Sequence, residues 1–318
     1  METAEAEKPV INEIPQHFIN QIILGDCLEV MKQIPDNSVD MTFCDPPYNL
    51  KKNYTHYADD RALLEYLNWS KKWLHEMVRV TKPAGSIFVI NIPKLLTYFS
   101  QYLNEKAYFK HWIAWNEMAS PLGKTLLPNH YGILWYAKSG EPKFYDIRRP
   151  HPRCRICKEL LHDYGGKKDL IHPFGTLVSD VWTDIHRIRH NIRRDEHPCQ
   201  LPIHLVERLI LMTTDPETDI VLDPMIGAGT TAVAAKRLGR KYVGIELDPE
   251  YVEISRKNVE EAKPTLISDC YVSIFLNKIV TIRDKDYEKV ENFLKTTKLR
   301  INNKKMKQLT LPTLEKPA

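Results

Sequence analysis

Two apolar runs that each stop at an aspartate constrain this chain more than any other feature. Residues 39–44 lead into Asp45-Pro46-Pro47-Tyr48, and residues 219–222 lead into Asp223-Pro224-Met225-Ile226-Gly227-Ala228-Gly229-Thr230-Thr231. A short apolar run that ends in a turn sequence reads as a buried strand. In open parallel sheets, ligands bind at the carboxyl ends of such strands. Residues 21–24, 86–90, 112–115, 131–136 and 241–246 read as further strands. Helical patterns cover residues 27–34, 61–80, 201–213, 230–238 and 249–261, with turns at 35–38 and 81–85. The alternation predicts an α/β fold.

From about residue 144 to residue 196 that alternation fades. This stretch holds Arg148-Arg149, His151, Arg153, Lys167-Lys168 and a dense cluster with Arg187, Arg189, Arg193 and Arg194. It reads as an inserted module, set between α/β segments at 18–143 and 197–265. Residues 1–17 are a polar lead-in, and 266–318 form a lysine-rich extension. That extension offers strand candidates at 271–275 or 279–282 and a helix from about 287 to 294.

A chain of 318 residues can bury a substantial core as one large domain, with or without an insert. Its net charge of +4 permits a polyanionic partner without demanding one. No signal-like block and no apolar run of transmembrane length appears, so a cytoplasmic protein with no membrane partner is expected. The six cysteines are scattered, which argues against a disulfide framework. Cys154 and Cys157 alone are close. They read either as half of a structural zinc site, completed by His151, His162, His172 or a distant cysteine, or as two unligated thiols.

Gly227 and Gly229 permit a tight turn and close backbone approach, and the helix behind them offers free N–H groups. An ordinary strand–helix connection would look similar. Asp223 before the turn disfavours a phosphate and favours a ligand carrying an amino group. The amino-acid end of S-adenosylmethionine offers an ammonium and a carboxylate. Glu246 ends the next strand, where a carboxylate can accept both ribose hydroxyls.

An exocyclic base amine is a poor nucleophile because its lone pair is delocalised into the ring. Asp45 can accept one of its N–H groups and the Pro46 carbonyl the other, while Pro47 stiffens the turn. Tyr48 can stack on the base, which must leave the duplex to reach such a pocket.

Taken in order, these motifs resemble the DNA amino-methyltransferases that make N6-methyladenine or N4-methylcytosine. Asp45 to Tyr48 matches that family's catalytic tetrad and Asp223 to Gly229 its methyl-donor loop. His197-Pro198-Cys199-Gln200-Leu201-Pro202 is similar to the segment under the methionine end of the cofactor. In that segment Leu201 stands where the family usually has lysine, and in the donor loop Met225 stands where it usually has phenylalanine. Asp26 matches the acid near the cofactor adenine. The resemblance covers about residues 20–140 and 195–262.

The tetrad precedes the donor loop, as in the circularly permuted beta class. The resemblance implies a Rossmann-like methyltransferase fold: a mostly parallel seven-stranded sheet with one antiparallel strand. It also implies that the insert is the target-recognition region for double-stranded DNA; the dense donor cluster itself makes Arg187, Arg189, Arg193 and Arg194 the candidate contacts, with a solvated basic surface as the alternative. Restriction-modification is the expected setting, in a bacterium or archaeon. A cognate restriction endonuclease would be a genetic rather than a physical partner, and a homodimer is compatible. Aspartate before Pro-Pro-Tyr favours adenine N6. N4-cytosine methylation is the alternative, and a DNA-binding protein with a decayed active site is the non-enzymatic reading.

Overall fold

The structure is a computed structural model. It describes residues 11–52, 57–116, 126, 128–151, 172–187, 201–267, 270–275 and 278–296. The strands in chain order are β1 (Gln21–Leu24), β2 (Val39–Cys44), β3 (Thr81–Asn91), β4 (Tyr108–Trp115), β5 (Tyr131–Ala137), β6 (Ile147–Pro150) and β7 (Gly175–Leu177). They continue as β8 (Val181–Trp182), β9 (Ile220–Asp223), β10 (Lys241–Glu246), β11 (Leu266–Ile267), β12 (Cys270–Phe275) and β13 (Lys278–Arg283). The helices are α1 (Cys27–Met31), α2 (Leu63–Val80), α3 (Pro93–Leu103), α4 (Ile203–Thr213), α5 (Thr230–Arg237), α6 (Pro249–Glu261) and α7 (Tyr287–Thr296).

The main sheet runs β1-β10-β9-β2-β3-β5-β4-β8. β5 is antiparallel to both its neighbours, and every other pair is parallel. This is the expected seven-stranded sheet with one antiparallel strand, extended by the two-residue edge strand β8. Both faces are covered, so the central strand β2 is buried at every residue, including the polar Asp40 and Thr42. In β3, Phe88 and Ile90 join the core under α4 and α5, while Ile87 and Val89 join the core under α1, α2 and α3.

Three features depart from the sequence expectation. α3 lies where no helix is predicted, although Leu95, Leu96, Phe99 and Leu103 carry helical spacing and are buried. β3 starts at Thr81, inside the expected turn, and its register with β2 shifts between Val39 and Met41. A second, antiparallel sheet, β11-β12-β13-β6-β7, joins strands of the insert to strands beyond residue 265.

α4 is sandwiched between the two sheets, and every residue from His204 to Thr213 is buried. Two charges are buried with it, and both are paired, as burial requires. Arg208 donates to both Asp184 carboxylate oxygens, at 3.0 and 2.6 Å. Glu207 accepts from Arg237 Nε at 2.7 Å and from Ser273 Oγ at 2.5 Å. No helix among the described residues is long and apolar enough to cross a membrane.

Candidate active site

Four adjacent strands, β1, β10, β9 and β2, end on the same edge of the sheet. Asp26 follows β1, Glu246 ends β10, Asp223 ends β9 and Asp45 follows β2. The topology therefore gathers four acids, far apart in sequence, around one cleft that opens to solvent. Pro46, Pro47, Tyr48, Met225, Gly227 and Thr230 line it too.

Asp45 is the distinctive group. Its Oδ1 is buried and has no hydrogen-bond partner among the described residues. Burial pushes its pKa up to about 7, a hydrogen bond from Tyr48 opposes this, and the nearby Asp223 charge adds to it. Burial also pushes Asp223 up to about 7. Both oxygens of Asp223 are engaged within its own loop: Thr231 Oγ1 donates to Oδ2 at 2.6 Å and the Met225 amide to Oδ1 at 3.0 Å.

Glu246 likewise braces the turn it faces. Its Oε2 accepts from the Gly227 amide at 2.8 Å, and its Oε1 from the Leu247 and Asp248 amides, both at 2.9 Å. Burial raises its pKa against these three donors. Asp26 is exposed and caps α1, its Oδ1 accepting from the Leu28 amide at 2.8 Å.

The glycine turn is left-handed at Gly227 (φ 54°) and at Gly229 (φ 90°). Gly229 does not line the cleft but caps α5. A Cβ there would lie 2.4 Å from Ser255 Oγ, so α6 packs directly behind the turn.

Several residues that shape the site carry no sequence signal of their role. Tyr66 of α2 donates its hydroxyl to the Pro47 carbonyl at 2.6 Å. The buried Asp59 carboxylate accepts from the amides of Asn49 (2.7 Å), Leu50 (3.0 Å) and Lys52 (3.0 Å), closing the loop after the tetrad. Arg61 is the one cationic side chain among the described residues of the cleft wall, with its guanidinium carbon 4.8 Å from the Tyr57 ring and 5.2 Å from the Trp69 ring. An aromatic file leads away from the tetrad. The Tyr48 ring lies 5.9 Å from Tyr131, Tyr131 stacks on Trp115 at 5.5 Å, and Trp115 Nε1 donates to the Ile185 carbonyl at 2.7 Å.

Of the segment expected under the methionine end, Leu201 lines the cleft and Pro202 caps α4. His197, Pro198 and Gln200 lie outside the described residues, as do Arg189, Arg193, Arg194, Cys154 and Cys157. Arg187 is exposed and away from the cleft. Among the described residues no cluster of acids, histidines and cysteines could hold a metal ion. The free cysteines there, Cys27, Cys44 and Cys270, are buried.

The family model of the N6/N4 methyltransferases, described as DNA methylase, matches residues 39–257. That span holds the tetrad, the donor loop and Glu246. This chain belongs to the DNA methylase family. Among its relatives, the Type II methyltransferase M.BamHI of Bacillus amyloliquefaciens is 39% identical over 285 residues, 87% of this chain and 67% of that protein. The Type II methyltransferase M.BglII of Bacillus subtilis is 37% identical over 263 residues, 77% of this chain and 70% of that protein.

Solved structures share this DNA methylase fold. A DNA modification methylase from Thermus thermophilus, in complex with S-adenosyl-L-methionine, superimposes with a TM-score of 0.53 at 22% identity, over 77% of this chain and 95% of that one. The cytosine-N4-specific PvuII DNA methyltransferase gives 0.54 at 19% identity, over 86% and 90%.

Proposed function

We propose that this protein transfers a methyl group from S-adenosylmethionine to the exocyclic amine of a base flipped out of duplex DNA, at a specific sequence. The observation that carries this reading is Asp45 Oδ1: a buried carboxylate oxygen without a partner among the described residues, in a Pro-Pro-Tyr turn beside a glycine loop. The Type II relatives support restriction-modification as its setting.

The cleft residues fit the cofactor. The left-handed Gly227 and Gly229 bring the backbone close, Glu246 suits ribose hydroxyls, and Asp26 stands two residues beyond the end of β1 to serve an adenine amine. Five acids, counting Asp248, line a cleft that contains Arg61 as its described cation, which suits a ligand of net positive charge. When bound, S-adenosylmethionine supplies an electrophilic methyl group on a sulfonium.

The chain does the rest. Asp45 accepts one N–H of the target amine and the Pro46 carbonyl accepts the second, which turns the nitrogen lone pair toward the donor. As the N–C bond forms and the S–C bond breaks, one amine proton must leave. An Asp45 carboxylate with a pKa of about 7 is matched to take it near neutral pH. Tyr48 offers a stacking face for the flipped base.

Adenine N6 is the first reading, on the Asp-first tetrad. Cytosine N4 is the second: Asp45 and the Pro46 carbonyl can accept from either exocyclic amine, and the matching family model spans both specificities. Residues 144–196 serve as the target-recognition insert in either case. Nucleoside analysis of DNA methylated by the purified protein tests both. N6-methyladenine is expected; N4-methylcytosine as sole product replaces the first reading with the second, and no methylated nucleoside overturns the enzyme.

A further inference from the structure

Residues 266–296 fall outside the stretch matched by the family model, which ends at residue 257. They also fall outside the insert. The fold nevertheless builds the two into one object. β6 and β7 pair with each other as Arg148↔Leu177 and Pro150↔Gly175, and residues 151–174 connect them. The other edge of β6 lies on β13, as Arg148↔Ile282 and Ile147↔Arg283. Without β13, β6 and β7 would be an isolated two-stranded ribbon, which is marginal in water. Phe174 of the insert packs against the small core of Cys270, Val272, Ile282 and Val290, all contributed by the extension.

A second tie holds the far end of the insert. Asp184 stands just before His186-Arg187, where the basic cluster begins. It is gripped by Arg208 at 3.0 and 2.6 Å and approached by Arg149 at 3.3 Å. Arg208 is fully buried, and its remaining donor, Nε, is satisfied by Thr281 Oγ1 of β13 at 3.1 Å. Arg148 of β6 pairs with Asp284, whose amide donates to the Asp146 carbonyl at 2.9 Å. Both stems of the insert therefore hang from the same hairpin.

We infer that the β12–β13 hairpin and Asp284 belong to the sequence-reading module, and that discrimination between DNA sequences depends on them. The inference rests on reading residues 144–196 as the recognition insert. Its physical basis is positional: a side chain reads a base edge only when held in register, and the registers of β6 and Asp184 are set by β13. A hairpin that only braced the fold would instead lower cofactor binding, DNA binding and stability together.

Thr281→Val removes the acceptor of Arg208 Nε at nearly constant volume, and Asp284→Ala removes the partner of Arg148. Each should lower the ratio of cognate to single-base-altered duplex methylation about tenfold. Affinity for S-adenosylhomocysteine should stay within about twofold of wild type. An unchanged ratio in both variants overturns the inference, as does a parallel loss of S-adenosylhomocysteine affinity. Chimeras give an independent reading. Residues 144–196 are moved into a relative with a different target sequence, alone or together with 266–296. Specificity that moves only with both segments supports the inference. Specificity that moves with the insert alone overturns it and leaves the recognition reading standing. If neither chimera changes specificity, the recognition reading fails and takes the inference with it.

Discussion

Tyr66 donates its hydroxyl to the Pro47 carbonyl at 2.6 Å, so a residue of α2 pins the third member of the tetrad. Tyr66 is fully buried and its ring packs near Trp69 and Phe99, at 5.8 and 6.3 Å. Tyr66→Phe keeps the ring and strands the carbonyl, at a cost of about 1–3 kcal/mol. We expect kcat to fall while the KM for S-adenosylmethionine changes little, because the cofactor acids are untouched. Steady-state kinetics at saturating DNA measure this, and an unchanged kcat would show that the tetrad holds its shape without Tyr66.

The raised pKa of Asp45 has two opposite consequences. Its folded value of about 7 lies above the ordinary 3.8, so the folded protein holds a proton that the unfolded chain releases in between. That contribution to stability is fully present below about pH 4 and is lost as pH rises through about 7. Asp223 acts in the same direction. Methyl transfer should do the reverse and rise with pH through about 7, as Asp45 ionises. Asp45→Asn should abolish transfer and retain S-adenosylhomocysteine binding. It should also flatten the fall in melting midpoint of the ligand-free protein between about pH 4 and about pH 8. Transfer at near wild-type rate in the Asn variant would remove Asp45 from the chemistry.

Glu246→Ala removes the acceptor of three amides as well as the group proposed for the ribose. S-adenosylmethionine and S-adenosylhomocysteine carry the same ribose, so both should lose affinity together, by a few kcal/mol at most. Titration calorimetry with both ligands decides; equal affinities in variant and wild type exclude the ribose contact.

Two glycines allow a controlled comparison. At Gly239 (φ 74°) an added Cβ would meet only Pro216 Cβ, at 3.9 Å, so Gly239→Ala carries backbone strain alone, about 1 kcal/mol. Gly229 (φ 90°) adds contacts of 2.4 Å to Ser255 Oγ and 3.0 Å to Ser255 Cα, which only movement of α6 relieves. Gly229→Ala should therefore cost more stability than Gly239→Ala, and it alone should weaken cofactor binding. Equal losses in denaturant titrations would mean that α6 yields freely.

The turns at Asp45–Tyr48 and Asp223–Gly229 were legible in the sequence because each is contiguous and built from residues with narrow conformational choice. Proline removes a donor and fixes φ, and glycine permits the left-handed backbone found at Gly227 and Gly229. Strands β5 and β9 read easily for a related reason: buried in the middle of the sheet, they carry short, largely apolar runs. α3 carries a helical signal in Leu95, Leu96, Phe99 and Leu103, but it lies between two strong strand signals that mask it.

The sequence by itself determined the local course of the chain around the cleft: where β1, β2, β9 and β10 end and which acids stand at those ends. Tertiary structure alone decided which partners those acids have. Asp45 and Asp223 are the same residue type after similar strands, yet Thr231 and the Met225 amide occupy Asp223 while Asp45 keeps one oxygen without a partner among the described residues. It also decided that α4, buried at every residue from His204 to Thr213, lies between two sheets, and that Arg208 within it binds Asp184 and Thr281. Desolvation and pairing depend on every group within a few ångströms, and residues 184, 208 and 281 meet only when the chain has folded.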